Sequence, residues 1–203
     1  MAINTYFKNI ADAIREKTGG SAFITPGQMP DEIRGITTGG SGINLSAVDY
    51  IGFIVRRIRT EQTYIQLCKI EITDQNDNII PFASGKNCGV WGGSPITSNT
   101  EGVTKIWDNF SVSDHYKTII SKYTGQNFYL FFCRFSEPQD FTSAYKWKWY
   151  TAEDEPARDP VTFGLIMANG TEENGLLKVV DFVTNNSTPT ARNVVAYEGL
   201  ING

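Results

Sequence analysis

The stretch Tyr50–Arg59 (YIGFIVRRIR), followed after Thr60-Glu61-Gln62 by Tyr64–Thr73 (YIQLCKIEIT), decides the fold class. Both segments are rich in β-branched and aromatic residues, and a short polar break separates them. That is the signature of neighbouring strands. Asp74-Gln75-Asn76-Asp77-Asn78 then reads as a turn, and Ile79-Ile80-Pro81-Phe82 resumes apolar character before a loop. Further on, Phe128–Phe135 (FYLFFCRF) is the most apolar strand and is expected at the centre of a sheet. Ala144–Thr151 (AYKWKWYT) alternates, setting Tyr145, Trp147 and Trp149 against Lys146, Lys148 and Tyr150. A strand of that pattern is half-buried, with its indoles toward the core. Val161–Ala168 and Leu176–Val183 follow, each bounded by Gly or Asn turns. Strands at this spacing with no helical period between them predict a β-sandwich over residues 44–203.

The first 36 residues read differently. Ile3, Phe7, Ile10 and Ile14 fall on one helical stripe, and Gly19-Gly20 supplies a helix stop. Thr25-Pro26-Gly27-Gln28 carries an N-cap, a proline at the first helical position and a capping glutamine, and Met29, Ile33 and Ile36 share one face of the helix it starts. Two short amphipathic helices bury too little to fold alone. Their apolar stripes (Ile3, Phe7, Ile10, Ile14, Met29 and Ile33) are therefore the expected anchoring surface, toward a partner or toward copies of the chain. Residues 37–43, beginning TTGGSG, are a flexible linker by composition.

The whole chain has 203 residues, 40% hydrophobic and 20% charged, enough apolar content for a packed core. Lys plus Arg number 18 against 22 Asp plus Glu, a net charge of −4, which argues against nucleic acid as partner. No apolar run is long enough for a membrane span, and Met1-Ala2-Ile3-Asn4 does not open a signal peptide. Folding in a cytoplasm is the expectation. Cys68, Cys88 and Cys133 show no CxxC or metal-ligand spacing and read as free, buried thiols.

Catalytic patterns are sparse. His115 is the sole histidine, so neither a nucleophilic triad nor a histidine-based zinc site is expected. The glycine pairs lack the frame of a phosphate loop. Glu153-Asp154-Glu155-Pro156-Ala157-Arg158-Asp159-Pro160 is the densest polar cluster. It reads as a proline-stiffened, solvated loop with Arg158 paired to a neighbour, rather than a calcium loop or a glycosidase carboxylate pair. The chain is expected not to be an enzyme. Aromatics outside obvious strands are a better lead, because sugars stack their apolar faces on rings. Trp91, in the Gly89-Val90-Trp91-Gly92-Gly93 stretch read as a loop, is the first such candidate ligand residue; His115 and Tyr116, in a loop beside Trp107-Asp108-Asn109, are the others. Trp107 is as well suited to plugging the end of the sandwich.

Two resemblances attach to these residues. Ile10-Ala-Asp-Ala-Ile-Arg-Glu-Lys-Thr-Gly19, with Ile24-Thr-Pro-Gly-Gln-Met29 and Ile33, resembles a segment common in tail and other virion proteins of tailed bacteriophages and prophages. It implies a virion structural role and assembly in a bacterial cytoplasm. Tyr50–Arg59 with Ile65–Ile72, Gly102-Val-Thr-Lys-Ile-Trp-Asp-Asn109, and Tyr150–Pro160 with Phe163-Gly-Leu165 resemble, in that order, the "YxRFxVTKxR … IQLSEFEL", "GxxxLxDGN" and "YxxxTANDxPxRDPxxWxLxGS" blocks of discoidin-like, galactose-binding-like domains. The block that usually comes last stands first here, which looks like a circularly permuted order. This resemblance implies a jelly-roll-like sandwich that binds carbohydrate. Some relatives hold a structural calcium near the positions that are Lys69 and Asn109 here, and a lysine ammonium there argues against a cation at Trp107-Asp108. Together the readings predict a tail or baseplate protein displaying a sugar-binding sandwich for host attachment, without cofactor; the alternative is a capsid or tail decoration protein with a purely structural sandwich.

Overall fold

The computed structural model describes residues 43–60, 64–95, 101–108, 119–122, 128–170 and 176–201. The expected N-terminal helices and most of the linker lie outside them, as do His115 and Tyr116. The described part is mainly β, with no α-helix; its helical pieces are 3-10 turns at Lys105–Trp107 and Pro156–Arg158.

Strand β1 (Val48–Ile58) is the centre of a five-stranded antiparallel sheet. Numbering the rest in chain order gives β2 (Tyr64–Gln66), β3 (Ile70–Thr73), β4 (Lys86–Trp91), β5 (Ser94–Pro95), β6 (Ile119–Lys122), β7 (Tyr129–Gln139), β8 (Lys146–Tyr150), β9 (Pro160–Asn169), β10 (Leu176–Val183) and β11 (Val195–Leu200). The large sheet runs β10-β9-β1-β7-β4, and a second runs β11-β8-β3. A small ladder, β2-β6-β5, completes the set.

The period of two decides what each strand buries. Ile51, Phe53 and Val55 of β1, Tyr129, Phe131 and Cys133 of β7, and Phe163, Leu165 and Met167 of β9 are fully buried on one face. Across from them the indoles of Trp147 and Trp149 point inward from β8, as the alternation predicts, and are fully buried. The two sheets meet in one aromatic cluster. Phe163 lies 5.7 Å from Phe53, 6.2 Å from Trp147, 5.3 Å from Trp149 and 5.3 Å from Tyr197, ring centre to ring centre. Most of these pairs are edge-on or tilted, the arrangement the ring quadrupoles prefer. Trp107 closes one side of the core, edge-on to Phe82 at 5.4 Å. It is a plug rather than a ligand platform.

Several expectations need correction. Tyr64–Thr73 is not one strand: it breaks at Leu67–Lys69, where Cys68 N donates to Tyr150 O at 2.8 Å, and the chain passes from the small ladder to the second sheet. Phe128–Phe135 supplies β7, which is interior but not central; β1 holds the middle because β7 and β9 pair with its two edges. Lys86–Trp91 is a strand where a loop was expected. Gly89 is tolerated there because it faces the ring of Phe132, and a Cβ at that position would lie 2.5 Å from Phe132 Cζ.

The outer face of the second sheet is a charged ladder. Lys146 and Lys148 both reach Glu198 (3.5 and 3.2 Å) and Asp77 (3.5 and 3.7 Å). Lys69 pairs with Glu71 at 2.7 Å, and Glu71 also accepts from the Tyr150 hydroxyl at 3.1 Å. Tyr197, half-buried against the core, donates to Asp181 at 2.6 Å. Burial first, then the adjoining carboxylates, push both phenols above the ordinary tyrosine range. The unfolded chain therefore releases these protons first, near pH 10. The stability the two tyrosines contribute is full below that pH and is lost as pH rises toward their folded values. Thermal midpoints measured from neutral to strongly alkaline pH should fall above about pH 10, and Tyr197→Phe should make that fall shallower.

Candidate functional site

Trp91 ends β4 and faces outward from the large sheet, away from the core. Register places the rest of that face. One row across the strands is Trp91, Leu130, Ile54, Gly164 and Phe182; the next is Gly89, Phe132, Gly52, Ile166 and Val179. A third row starts with Asn87, Arg134 and Tyr50. The first two rows carry no charged residue. A sheet face turned from its partner sheet is ordinarily polar, so these two apolar rows, crossing strands whose other face is also apolar, mark this one out.

The surface is shaped by its small residues. A Cβ on Gly52 would lie 2.8 Å from Leu130 Cδ1 and 2.9 Å from Ile166 Cγ1, so those side chains lean over the glycine and are themselves buried. Trp91, Phe132, Ile54 and Phe182 stand half-buried around them. The Trp91 indole stacks on Phe128, centroids 4.6 Å apart and planes 30° apart. That backing holds the ring in one orientation, as a stacking platform requires. Beside the apolar rows, Asn87 and Arg134 are exposed, and the Arg134 guanidinium sits 5.4 Å from the centre of the Tyr50 ring. The face thus combines rigid rings with a polar border of amide and guanidinium donors.

The acidic segment has a different role. Asp159 is fully buried, and the Arg192 fork grips it, Nη1 to Oδ1 at 3.1 Å and Nη2 to Oδ2 at 2.5 Å. Arg59 approaches the same carboxylate at 3.7 Å and donates to Thr188 O at 2.6 Å and Pro156 O at 3.0 Å. Gln66 Nε2 donates to Glu155 O at 2.7 Å. Burial pushes the Asp159 carboxyl above the ordinary carboxylate range, opposed by Arg192 and Arg59. Arg158 pairs with Asp154 at 3.6 Å, and Glu155 caps Ala157 N. This is a clasp joining the ends of β1, β2 and β9 to the 184–194 loop. The sequence reading of a merely solvated loop missed its buried member.

Near Trp107, Asp108 is held by Lys86 at 3.3 Å and Lys105 at 3.5 Å. Lys69, assigned to that region by resemblance, is ion-paired with Glu71. Among the described residues no group of three or more His, Cys, Asp or Glu is placed to hold a metal, and no helix is long and apolar enough to cross a membrane. Of the sequence candidates for ligand contact, Trp91 belongs to the outer face, while His115 and Tyr116 lie outside the described residues. So do Ile3, Phe7, Ile10, Ile14, Met29 and Ile33. The outer-face partners Phe132, Ile54 and Phe182 were missed by sequence reading. Compared with known proteins, the chain matches no family model, no curated protein and no solved structure.

Proposed function

We propose that this chain is a structural protein of a tailed-bacteriophage particle, in the tail or baseplate, whose galactose-binding-like sandwich binds host-surface carbohydrate. The observation that carries the binding part is the Trp91 ring, held against Phe128 at 4.6 Å on an apolar sheet face bordered by Asn87 and Arg134. The virion part rests on the motif in residues 10–33. In this reading the helical stripe through Ile3, Phe7, Ile10 and Ile14 joins other virion proteins or further copies of the chain, and the 37–43 linker lets the sandwich reach outward.

The mechanism needs no bond making. Sugar C–H faces displace water from the indole and from Phe132, while hydroxyls exchange water for the Asn87 amide and Arg134 guanidinium. Such sites are weak singly; many copies on one particle raise the effective concentration, and avidity follows.

The test is binding of the full chain, displayed in multiple copies, to host envelopes with and without periodate oxidation of their glycans. Saturable binding that oxidation abolishes, and that Trp91→Ala weakens roughly tenfold (about 1.4 kcal/mol), is the expected result. Absence of binding to intact envelopes would replace the adhesin by the structural decoration reading.

A further inference from the structure

Cys88 of β4 and Cys133 of β7 stand directly opposite each other. Ser136 N donates to Gly85 O at 2.9 Å, which makes that pair a hydrogen-bonded one. Bonded and non-bonded pairs alternate along an antiparallel ladder, so Lys86/Phe135 is non-bonded, Asn87/Arg134 bonded and Cys88/Cys133 non-bonded. Residues at non-bonded sites have Cα atoms about 4.5 Å apart, inside the range that a disulfide spans, about 4.4–6.8 Å. Both cysteines are free. Cys133 is buried in the core, whereas Cys88 is half-buried on β4, the edge strand of the large sheet. Lys86, two residues before Cys88 on the same face, brings a cation near it and is itself paired to Asp108 at 3.3 Å. A hydrogen bond from the Cys133 thiol, with Lys86 adding to it, holds the Cys88 thiol below the ordinary thiol range against the opposing effects of burial and of the Asp108 carboxylate. The same hydrogen bond, then burial, raises the Cys133 thiol.

We infer that Cys88 and Cys133 form a redox modification site that closes to an intramolecular disulfide on meeting a small-molecule disulfide such as oxidised glutathione. Cys88 loses its proton to solvent, and the thiolate attacks one sulfur of the oxidant. A mixed disulfide forms and the first glutathione thiolate leaves. Cys133 then gives up its proton, its sulfur attacks Cys88 Sγ, and the second glutathione leaves as a thiolate. The protein loses two hydrogens and two electrons, and the oxidant is reduced to two thiols. The attacking thiol is thus the more accessible, lower-pKa member of the pair, which is the order that exchange kinetics favour. Cys68 stays out of the reaction: it is buried between β2 and β3, and burial pushes its thiol up to about 11.

The bridge fastens β4 to β7, its neighbour in the large sheet, three residues before Trp91. The inference rests on the facing of the two cysteines across the ladder and on their unequal burial, and stands whether or not the outer face binds sugar. Chain made in a reducing cytoplasm would carry the open pair, and transfer to an oxidising medium would close it.

The full folded chain is incubated with oxidised glutathione at mildly alkaline pH, blocked, and mapped by mass spectrometry without reduction. The expected result is loss of two hydrogens and a cross-linked peptide pair containing Cys88 and Cys133. A rise in melting temperature of about 5–15 °C, reversed by dithiothreitol, should accompany it. Cys88→Ser should abolish both changes, while Cys68→Ser should leave both intact. A persistent glutathione adduct on Cys88, a cross-link to Cys68, or an unmodified chain would each overturn the inference. The wild-type peptide map decides this even if a cysteine variant fails to fold.

Discussion

Asp159→Ala is expected to lower the unfolding free energy by about 3–5 kcal/mol in urea titration, because it leaves the Arg192 guanidinium half-buried without its counter-charge. The clasp is built to be sensitive. Arg192 makes the two-pronged contact to Asp159, and it also donates to backbone oxygens of Asp154 at 2.8 Å, Thr190 at 2.9 Å, and Ala152 and Pro189 at 3.3 Å. Arg59 ties the same carboxylate to the end of the central strand. Removing the carboxylate therefore loosens the 150–160 segment and the 184–194 loop together. The paired change Asp159→Leu with Arg192→Met should cost less than Asp159→Ala alone, since no uncompensated charge remains. A loss below about 1 kcal/mol for Asp159→Ala, the value of an exposed pair, would show that solvent reaches the clasp.

Phe163→Ala should cost a similar amount, about 3–5 kcal/mol, from lost transfer energy and the cavity left behind. Its ring contacts Phe53 on the same sheet and Trp147, Trp149 and Tyr197 on the other. No other single truncation in this cluster separates the two sheets from so many rings at once. Ile54→Ala provides the contrast: this side chain is only half-buried, on the outer face, and its loss should cost clearly less. If the two variants unfold at the same denaturant concentration, the aromatic cluster is not the main contact between the sheets.

The parts of the fold that were legible in the sequence are those whose signal is local. The alternation in Ala144–Thr151 states which residues face the core, and Trp147 and Trp149 do. The β-rich run Tyr50–Arg59 marks a strand, though a continuous apolar run does not say that both of its faces are covered in apolar residues. The rest depends on register. Strand β4 contains Lys86, Asn87 and Gly89, poor strand formers in isolation; it becomes a strand by pairing along its whole length with β7, where Phe132 covers the glycine. The break at Leu67–Lys69 follows from a bond to Tyr150, far along the chain. Asp159 and Arg192 are 33 residues apart, and no spacing rule links them.

The same reason explains the candidate site. Composition singled out Trp91 because an indole beside glycines invites attention. Its neighbours Leu130, Ile54 and Phe132 join it only through strand pairing. Read without that pairing, they are ordinary core residues of their own strands. The Cys88–Cys133 pair is hidden in the same way, since odd, widely spaced cysteines look unrelated until β4 and β7 are aligned.

Trp107, Trp147 and Trp149 are fully buried and Trp91 is not, so tryptophan itself reports on the outer face. The most direct measurement is fluorine NMR of the chain labelled with 5-fluorotryptophan, titrated with host-surface polysaccharide, using Trp91→Phe to assign the Trp91 resonance. This resonance is expected to move saturably while those of the three buried indoles stay in place, and periodate-treated polysaccharide is expected to move none of them. A polysaccharide that binds without shifting the Trp91 resonance, or that leaves the entire spectrum unchanged at saturating concentration, would contradict the outer face as the binding surface.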